Sequence, residues 1–382
     1  MKVRAITAGV SLPDLSRSSI QRIKTAAVTL KQTKRSLESA SIEVQSIRLA
    51  TGLISHPGVS PAKIPQLAVD LQHVCKDAGI SYASIGRLAP GADTDARINA
   101  LTEAVCRTDI VFASVDAANT SHGVNHRAVD SYAQAVMSIS KGTANGFGNL
   151  RFAVVACGPD VTPYFPTSFS PGDIPSISIC LESPDIAIKH FHALGDSAEF
   201  VSEMERTCKK VSSVAERALK SGGFAFAGID LSPAPYPSPE LSVGTIVEQL
   251  SGVPLGEPGT LAAVEAITSA LRKVKVKSCG FNGLMLPVLE DSVIAKRVQE
   301  GRLDLQDLLL YSTVCGTGLD TIPLPGRTSA AALARIMTDV CSLAVRLNKP
   351  LTARLMPVPG KKAGDMTAFD FPYFVNTKVM SI

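Results

Sequence analysis

The 382-residue chain has no Trp, and aromatic residues make up only 5% of it. Charge is sparse as well. Asp, Glu, Lys and Arg total 19%, against about 25% in an average soluble protein. With 38 basic and 34 acidic side chains, the net charge is +4. So weak a basic balance, with few rings to stack on bases, argues against a nucleic-acid binder. Disorder is excluded because it needs low hydrophobicity and high net charge, whereas 45% of this chain is hydrophobic.

Other absences narrow the field further. The eight cysteines contain no Cys-x-x-Cys pair and no Cys–His set with zinc-finger spacing. Reduced thiols are therefore expected, not a disulfide framework. No stretch reaches the roughly 18 uncharged apolar residues of a membrane-spanning helix. The charged start Met1-Lys2-Val3-Arg4 does not read as a signal peptide. A cytoplasmic protein with no membrane or nucleic-acid partner is the expectation. Neither a Walker loop nor a dinucleotide fingerprint occurs, so no nucleotide cofactor is expected. There is no Gly-x-Ser-x-Gly elbow. His122 and His126 have i,i+4 spacing, but Gly123 interrupts them, and they read as a loop and a helix start.

What is present is alternation. Short β-branched runs alternate with segments of 3.6-residue period. Strands are expected at 3–8, 43–49, 81–85, 109–115, 151–156, 176–181, 224–229, 312–315 and 351–356. Helices are expected at 16–39, 62–77, 93–107, 126–139, 185–220, 243–250, 261–274, 292–300, 303–310 and 329–347. Such alternation implies parallel strands joined by crossover helices. The expectation is one α/β domain over 1–382, built as a barrel or as a long doubly wound sheet.

In parallel α/β folds, ligands bind at the carboxyl ends of strands. Polar residues that end or follow a strand are therefore candidates: Thr7, Arg48, Asp116, Asn119, Asp230, Ser232 and Arg354. The densest segment is Val314-Cys315-Gly316-Thr317-Gly318-Leu319-Asp320, where two glycines free the backbone N–H groups to converge on an anion. Cys315 is a candidate nucleophile, with a buried structural thiol as its alternative. Asp230, Glu290 and Asp320 are candidate acids and bases. Arg4, Arg48, Arg354 and Lys361 are candidate anion ligands, with Thr7, Gly316, Thr317 and Gly318 beside them. Glu290, Asp291 and Asp320 can also hold a magnesium or calcium ion. Asp291 precedes a helix, so capping is its alternative role.

Several motifs, in order along almost the whole chain, resemble one family. They are Arg4-Ala5-Ile6-Thr7-Ala8-Gly9, Ile229-Asp230-Leu231-Ser232-Pro233-Ala234-Pro235, Leu286-Pro287-Val288-Leu289-Glu290-Asp291, the segment 314–320, and Arg354-Leu355-Met356-Pro357-Val358-Pro359-Gly360-Lys361-Lys362-Ala363-Gly364-Asp365. They are similar to the uncharacterised domain of unknown function 711, the UPF-0210 proteins. That resemblance implies a fold like the pyruvate formate-lyase type of glycyl-radical enzyme: a ten-stranded α/β barrel of two five-stranded halves. Radical chemistry does not carry over, because the radical loop and an adjacent Cys pair are missing. The chain departs from the family at Arg327, where an acid is common. It also ends in Phe369-Asp370-Phe371-Pro372-Tyr373-Phe374-Val375-Asn376, where glycines are expected. The expectation is a non-radical enzyme of lyase or hydrolase type, acting by acid–base chemistry on a small anionic metabolite, with or without a divalent cation. The alternative is a non-catalytic metabolite-binding or regulatory barrel. A homo-oligomer is expected in either case.

Overall fold

The computed structural model describes residues 2–220 and 222–382. The first half alternates strand and helix: β1 (Lys2–Val10), α1 (Arg17–Ser39), β2 (Glu43–Thr51), α2 (Ile64–Asp77), β3 (Tyr82–Leu88), α3 (Thr94–Arg107) and β4 (Val111–Asn119). A two-residue hairpin strand β5 (Gly123–Val124), α4 (His126–Gly142) and β6 (Phe152–Ala156) follow. Next come β7 (Ser176–Glu182), α5 (Pro184–His190), α6 (Ala198–Leu219) and β8 (Ala225–Asp230). Four helices then run together: α7 (Val243–Ser251), α8 (Thr260–Lys273), α9 (Ser292–Glu300) and α10 (Leu305–Tyr311). The last elements are β9 (Gly318–Pro325), α11 (Ala330–Leu347) and β10 (Leu351–Val358).

The strands form one mixed ten-stranded sheet in the order β8-β7-β1-β2-β3-β4-β6-β10-β9, with β5 paired to β4. Strands β1, β2, β3, β4 and β6 are mutually parallel. The pairs β7–β8 and β10–β9 are each parallel internally but join this group antiparallel. The strands are nearly buried throughout, as in the pattern of β10, because helices cover them. Strand pairing does not close the sheet: β8 and β9 are its edges. An irregular segment lies beside both. Ile229 of β8 forms a parallel bridge to Ser278, and Asp320 of β9 forms one to Pro287. Among the described residues, no helix is long and apolar enough to cross a membrane.

Two expectations are corrected. Residues 312–315 are not a strand. Their amides bond back to Leu308, Leu310 and Tyr311, continuing the turn of α10. The strand starts at Gly318 instead, and it contains Pro323 and Pro325. Proline lacks the donor a central strand needs, and the position of β9 at the sheet edge accommodates it. The helical stretch expected at 185–220 divides into α5 and α6, separated at 191–197.

Candidate functional site

The loop 157–175 crosses the carboxyl ends of the five parallel strands. Thr7 Oγ1 donates to the Pro163 carbonyl at 3.0 Å, and Arg87 Nη2 donates to that of Thr167 at 2.8 Å. The Ser170 amide donates to the Thr51 carbonyl at 3.3 Å. This loop occupies the end where a ligand was expected. A cavity of about 140 Å³ lies beyond it, floored by Tyr164, Phe165, Pro166 and Thr167. Each parallel strand adds to the wall near its amino end: Arg4 on β1, Gln45 on β2, Tyr82 on β3, Phe112 on β4 and Ala153 on β6. Asp116 is not in the wall. Its carboxylate lies 3.8 Å from Arg87 Nε.

One side of the cavity holds a charge network. Glu290 accepts from Arg4 Nη2 at 3.2 Å and from Arg354 Nη2 at 2.8 Å. Arg354 Nε donates to Asp320 at 2.5 Å. Burial pushes the Asp320 carboxyl above the usual carboxylate range, with Arg354 opposing and Glu290 adding to the rise. Burial works against charge on Arg354, but Asp320 and Glu290 outweigh it and raise the guanidinium pKa. Arg4, Arg354, Glu290, Asp320 and Thr317 thus come together as sequence-level candidates. The Thr317 hydroxyl is buried in this wall without a hydrogen-bond partner.

The other side differs. Arg48 donates to Ser46 Oγ at 3.1 Å and lies over the rings of Tyr82 and Phe165 at 5.5 and 5.4 Å. Arg151 donates to Thr108 Oγ1 at 3.3 Å and to the Val111 carbonyl at 3.4 Å. Both are buried, at 8% and 6% exposure. Burial pushes both guanidinium pKa values down. Among the described residues, neither has a carboxylate within ion-pair distance. Asp109 lines the same cavity and acts electrostatically on Arg151, but no carboxylate does so for Arg48. Arg48 is therefore a buried cation without a close counter-charge, a costly arrangement unless an anion joins it.

The remaining candidates lie outside the cavity wall. Asp230 is buried and pins the 280s turn. It accepts from the Ser232 amide and hydroxyl at 3.0 and 2.7 Å, and from the Phe281 and Asn282 amides at 2.8 and 3.1 Å. Gly280 is required there: its φ is +84°, and a Cβ would sit 1.9 Å from the Asp230 carboxylate. Asp291 caps α9 through Val293 and Ile294 N–H, both at 3.0 Å, and caps α7 through Val243 N–H at 2.6 Å. Cys315 is buried. Its Sγ accepts from Gly318 N–H at 3.3 Å, and Lys349 donates to its carbonyl at 2.5 Å. Gly316 donates to the Leu284 carbonyl at 2.6 Å and crosses Gly283 so closely that a Cβ would lie 2.3 Å from it. The N–H groups of Gly316 and Gly318 are thus spent inside the protein and do not converge on an anion. Thr7 serves the loop, and Lys361 follows β10 outside the wall.

The expected cation site does not form as a cluster. Among the described residues, no group of three or more His, Cys, Asp or Glu is placed to hold a metal ion. The donor chemistry agrees: Arg354 engages Glu290 and Asp320, and Asp291 is spent on caps.

A family model described as uncharacterised ACR (DUF711) matches residues 1–370. The chain belongs to the DUF711 family. A UPF0210 protein of Bifidobacterium adolescentis is 29% identical to it, over 97% of this chain and 88% of that protein. One of Carboxydothermus hydrogenoformans is 28% identical over the same shares. One of Pyrobaculum arsenaticum is 29% identical, over 96% of this chain and 87% of its own length. None of these names states an activity.

Reading by motif missed half of the site in this DUF711 chain. Arg151, Tyr82 and Phe112 sit at or next to strand starts and follow no polar signature. The available signal was scarcity. Five of the thirteen Phe and three of the six Tyr line the cavity, in a chain that is only 5% aromatic. Two of them, Phe371 and Tyr373, belong to a strap over 367–377 whose tip lies beyond the family match. Asn376 fastens the base of the strap. Its Oδ1 accepts from Thr367 Oγ1 at 2.9 Å and from Phe369 N–H at 2.8 Å. Val375 N–H donates to the Leu289 carbonyl at 2.7 Å, next to Glu290.

Proposed function

We propose that the cavity binds a small anionic metabolite and transforms it by non-radical acid–base chemistry of lyase or hydrolase type. The observation that carries this reading is Arg48, together with Arg151: both are buried and line one cavity, and among the described residues neither lies within ion-pair distance of a carboxylate. A carboxylate or phosphate supplies the missing charge. Asp320, raised by burial, is the proton donor, and Glu290, ion-paired with two guanidiniums, is the base. Arg354, hydrogen-bonded to both, fixes their spacing.

We also read the sheet as a barrel related to the pyruvate formate-lyase type. The segment 277–288 supplies the tenth stave between β8 and β9, and its parallel bridges to both support this. The five parallel strands form one half. Strands β7 and β8, the segment, and β9 and β10 form the other.

The test has two parts. Sulfate, acetate and inorganic phosphate should raise the melting temperature of the native protein and lose that effect in R48M. A pool of small organic acids incubated with the protein should show a mass change that E290Q and D320N abolish. If no anion shifts the melting temperature, the binding reading fails. If anions bind but no member of the pool is transformed, the non-catalytic binding reading takes its place.

A further inference from the structure

The rings around the cavity form two groups. On the sheet side, Phe112 meets Tyr82 edge-on at 5.4 Å and Phe165 at 5.2 Å. On the strap side, Phe371 meets Phe147 at 5.1 Å and Tyr373 at 5.3 Å, again edge-on. All of them line the cavity, yet among the described residues no ring of one group contacts a ring of the other. Aromatic pairs favour centroid separations of about 4.5–7 Å. Each group satisfies this within itself and leaves faces or edges turned to the space between. Filling that space with water leaves apolar ring surface wet, which is unfavourable.

We infer that the anion this cavity takes carries an aromatic ring, held between the Tyr82–Phe112–Phe165 group and the strap residues Phe371 and Tyr373, which set ring specificity. This rests on the anion-binding reading above and narrows it to aryl or arylalkyl acids. The geometry ties ring to charge at both ends. Arg48 lies over Tyr82 and Phe165, and the Arg4 guanidinium lies 5.4 Å from the centre of the Tyr373 ring. A ring seated between the groups places an acid substituent beside a guanidinium that already stacks on aromatic faces. The strap is suited to selection because its base is pinned by Asn376 and Val375, while Asp370 and Pro372 at its tip are exposed.

The discriminating probes are phenylacetate against cyclohexylacetate, and phenyl phosphate against cyclohexyl phosphate, titrated calorimetrically into the full-length protein. Cyclohexyl groups are the more apolar, so a merely greasy cavity prefers them. An aromatic box instead prefers phenyl by about five- to tenfold, the equivalent of one or two ring contacts. The variants F371L and Y373L keep apolar bulk without a ring. They should lower that preference toward unity, read as the ratio of phenyl to cyclohexyl affinity within each variant. If the cyclohexyl acids bind as well as the phenyl acids while phosphate still binds, the ring inference is overturned and the anion reading stands. If phosphate, phenylacetate and phenyl phosphate all fail to bind, both fall.

Discussion

Glu290 and Asp291 are adjacent in the chain, and their carboxylates do unrelated work. Glu290 faces the cavity between Arg4 and Arg354. Asp291 is buried under the amino ends of α7 and α9, where it also accepts from Ser242 Oγ at 2.6 Å. Substitution should separate them. D291A strands several buried donors and removes two caps, so it should cost about 3 kcal/mol in urea unfolding. E290Q leaves Arg354 with Asp320 and Arg4 with Glu182, and should cost about 1 kcal/mol while impairing turnover. Equal losses of stability would show that both residues are structural.

The arginines should separate in the same way. R48M removes a buried cation that has no carboxylate partner, so stability should hold or rise by about 1 kcal/mol while sulfate binding falls. R354M leaves Glu290 and Asp320 facing each other without their shared guanidinium. Breaking a buried pair in this way costs about 3–5 kcal/mol. Chemical denaturation of both variants with and without sulfate decides the matter. If R48M is as destabilised as R354M, Arg48 is a structural residue.

The order of elements was legible in the sequence because hydrophobic periodicity reports burial, and β1 and α9 follow theirs almost to the residue. The strand β9 was not, because Pro323 and Pro325 imitate a loop unless the edge position is known. The charge network was partly legible, since Glu290, Asp320 and Arg354 carry polar types into apolar surroundings. Which end of the strands carries the cavity was not, because that depends on where the loop 157–175 lies. Asp230 and Asp291 looked like Glu290 and Asp320 in the sequence. Only tertiary contacts show the first two saturated by backbone N–H groups. Arg151 was hidden because an arginine flanking a strand is ordinarily solvated.

Thiol chemistry offers an independent check on Cys315. Burial pushes the Cys75, Cys180, Cys208 and Cys341 thiols up to about 12. At pH 8 their thiolate fraction is then about 10⁻⁴. Cys315 is also buried, whereas Cys106, Cys157 and Cys279 are half-buried. Burial pushes the Cys279 thiol up strongly as well. Iodoacetamide at about pH 8 should therefore modify only Cys106 and Cys157 in the native protein, with the other six reacting after unfolding. Peptide mass mapping reads this directly. Rapid modification of Cys315 in the folded state would restore it as a nucleophile.

The pH dependence of anion binding tests Asp320. Its folded pKa lies above the ordinary value because it is buried, even with Arg354 beside it. A carboxyl with a raised folded pKa favours the folded state below its unfolded pKa of about 3.9, and loses that contribution as pH rises through the folded value. The same proton governs the cavity. When Asp320 is ionised it adds a negative charge to the wall that must receive an anion, and protonation removes it. Sulfate stays dianionic well below neutral pH, so its affinity should rise as pH falls through the folded Asp320 value. D320N should bind sulfate more tightly at about pH 7 and show a flatter profile, because its side chain is neutral throughout. A profile in D320N that keeps the full slope of the native protein would assign the titration to another group and remove Asp320 from the proton-transfer role.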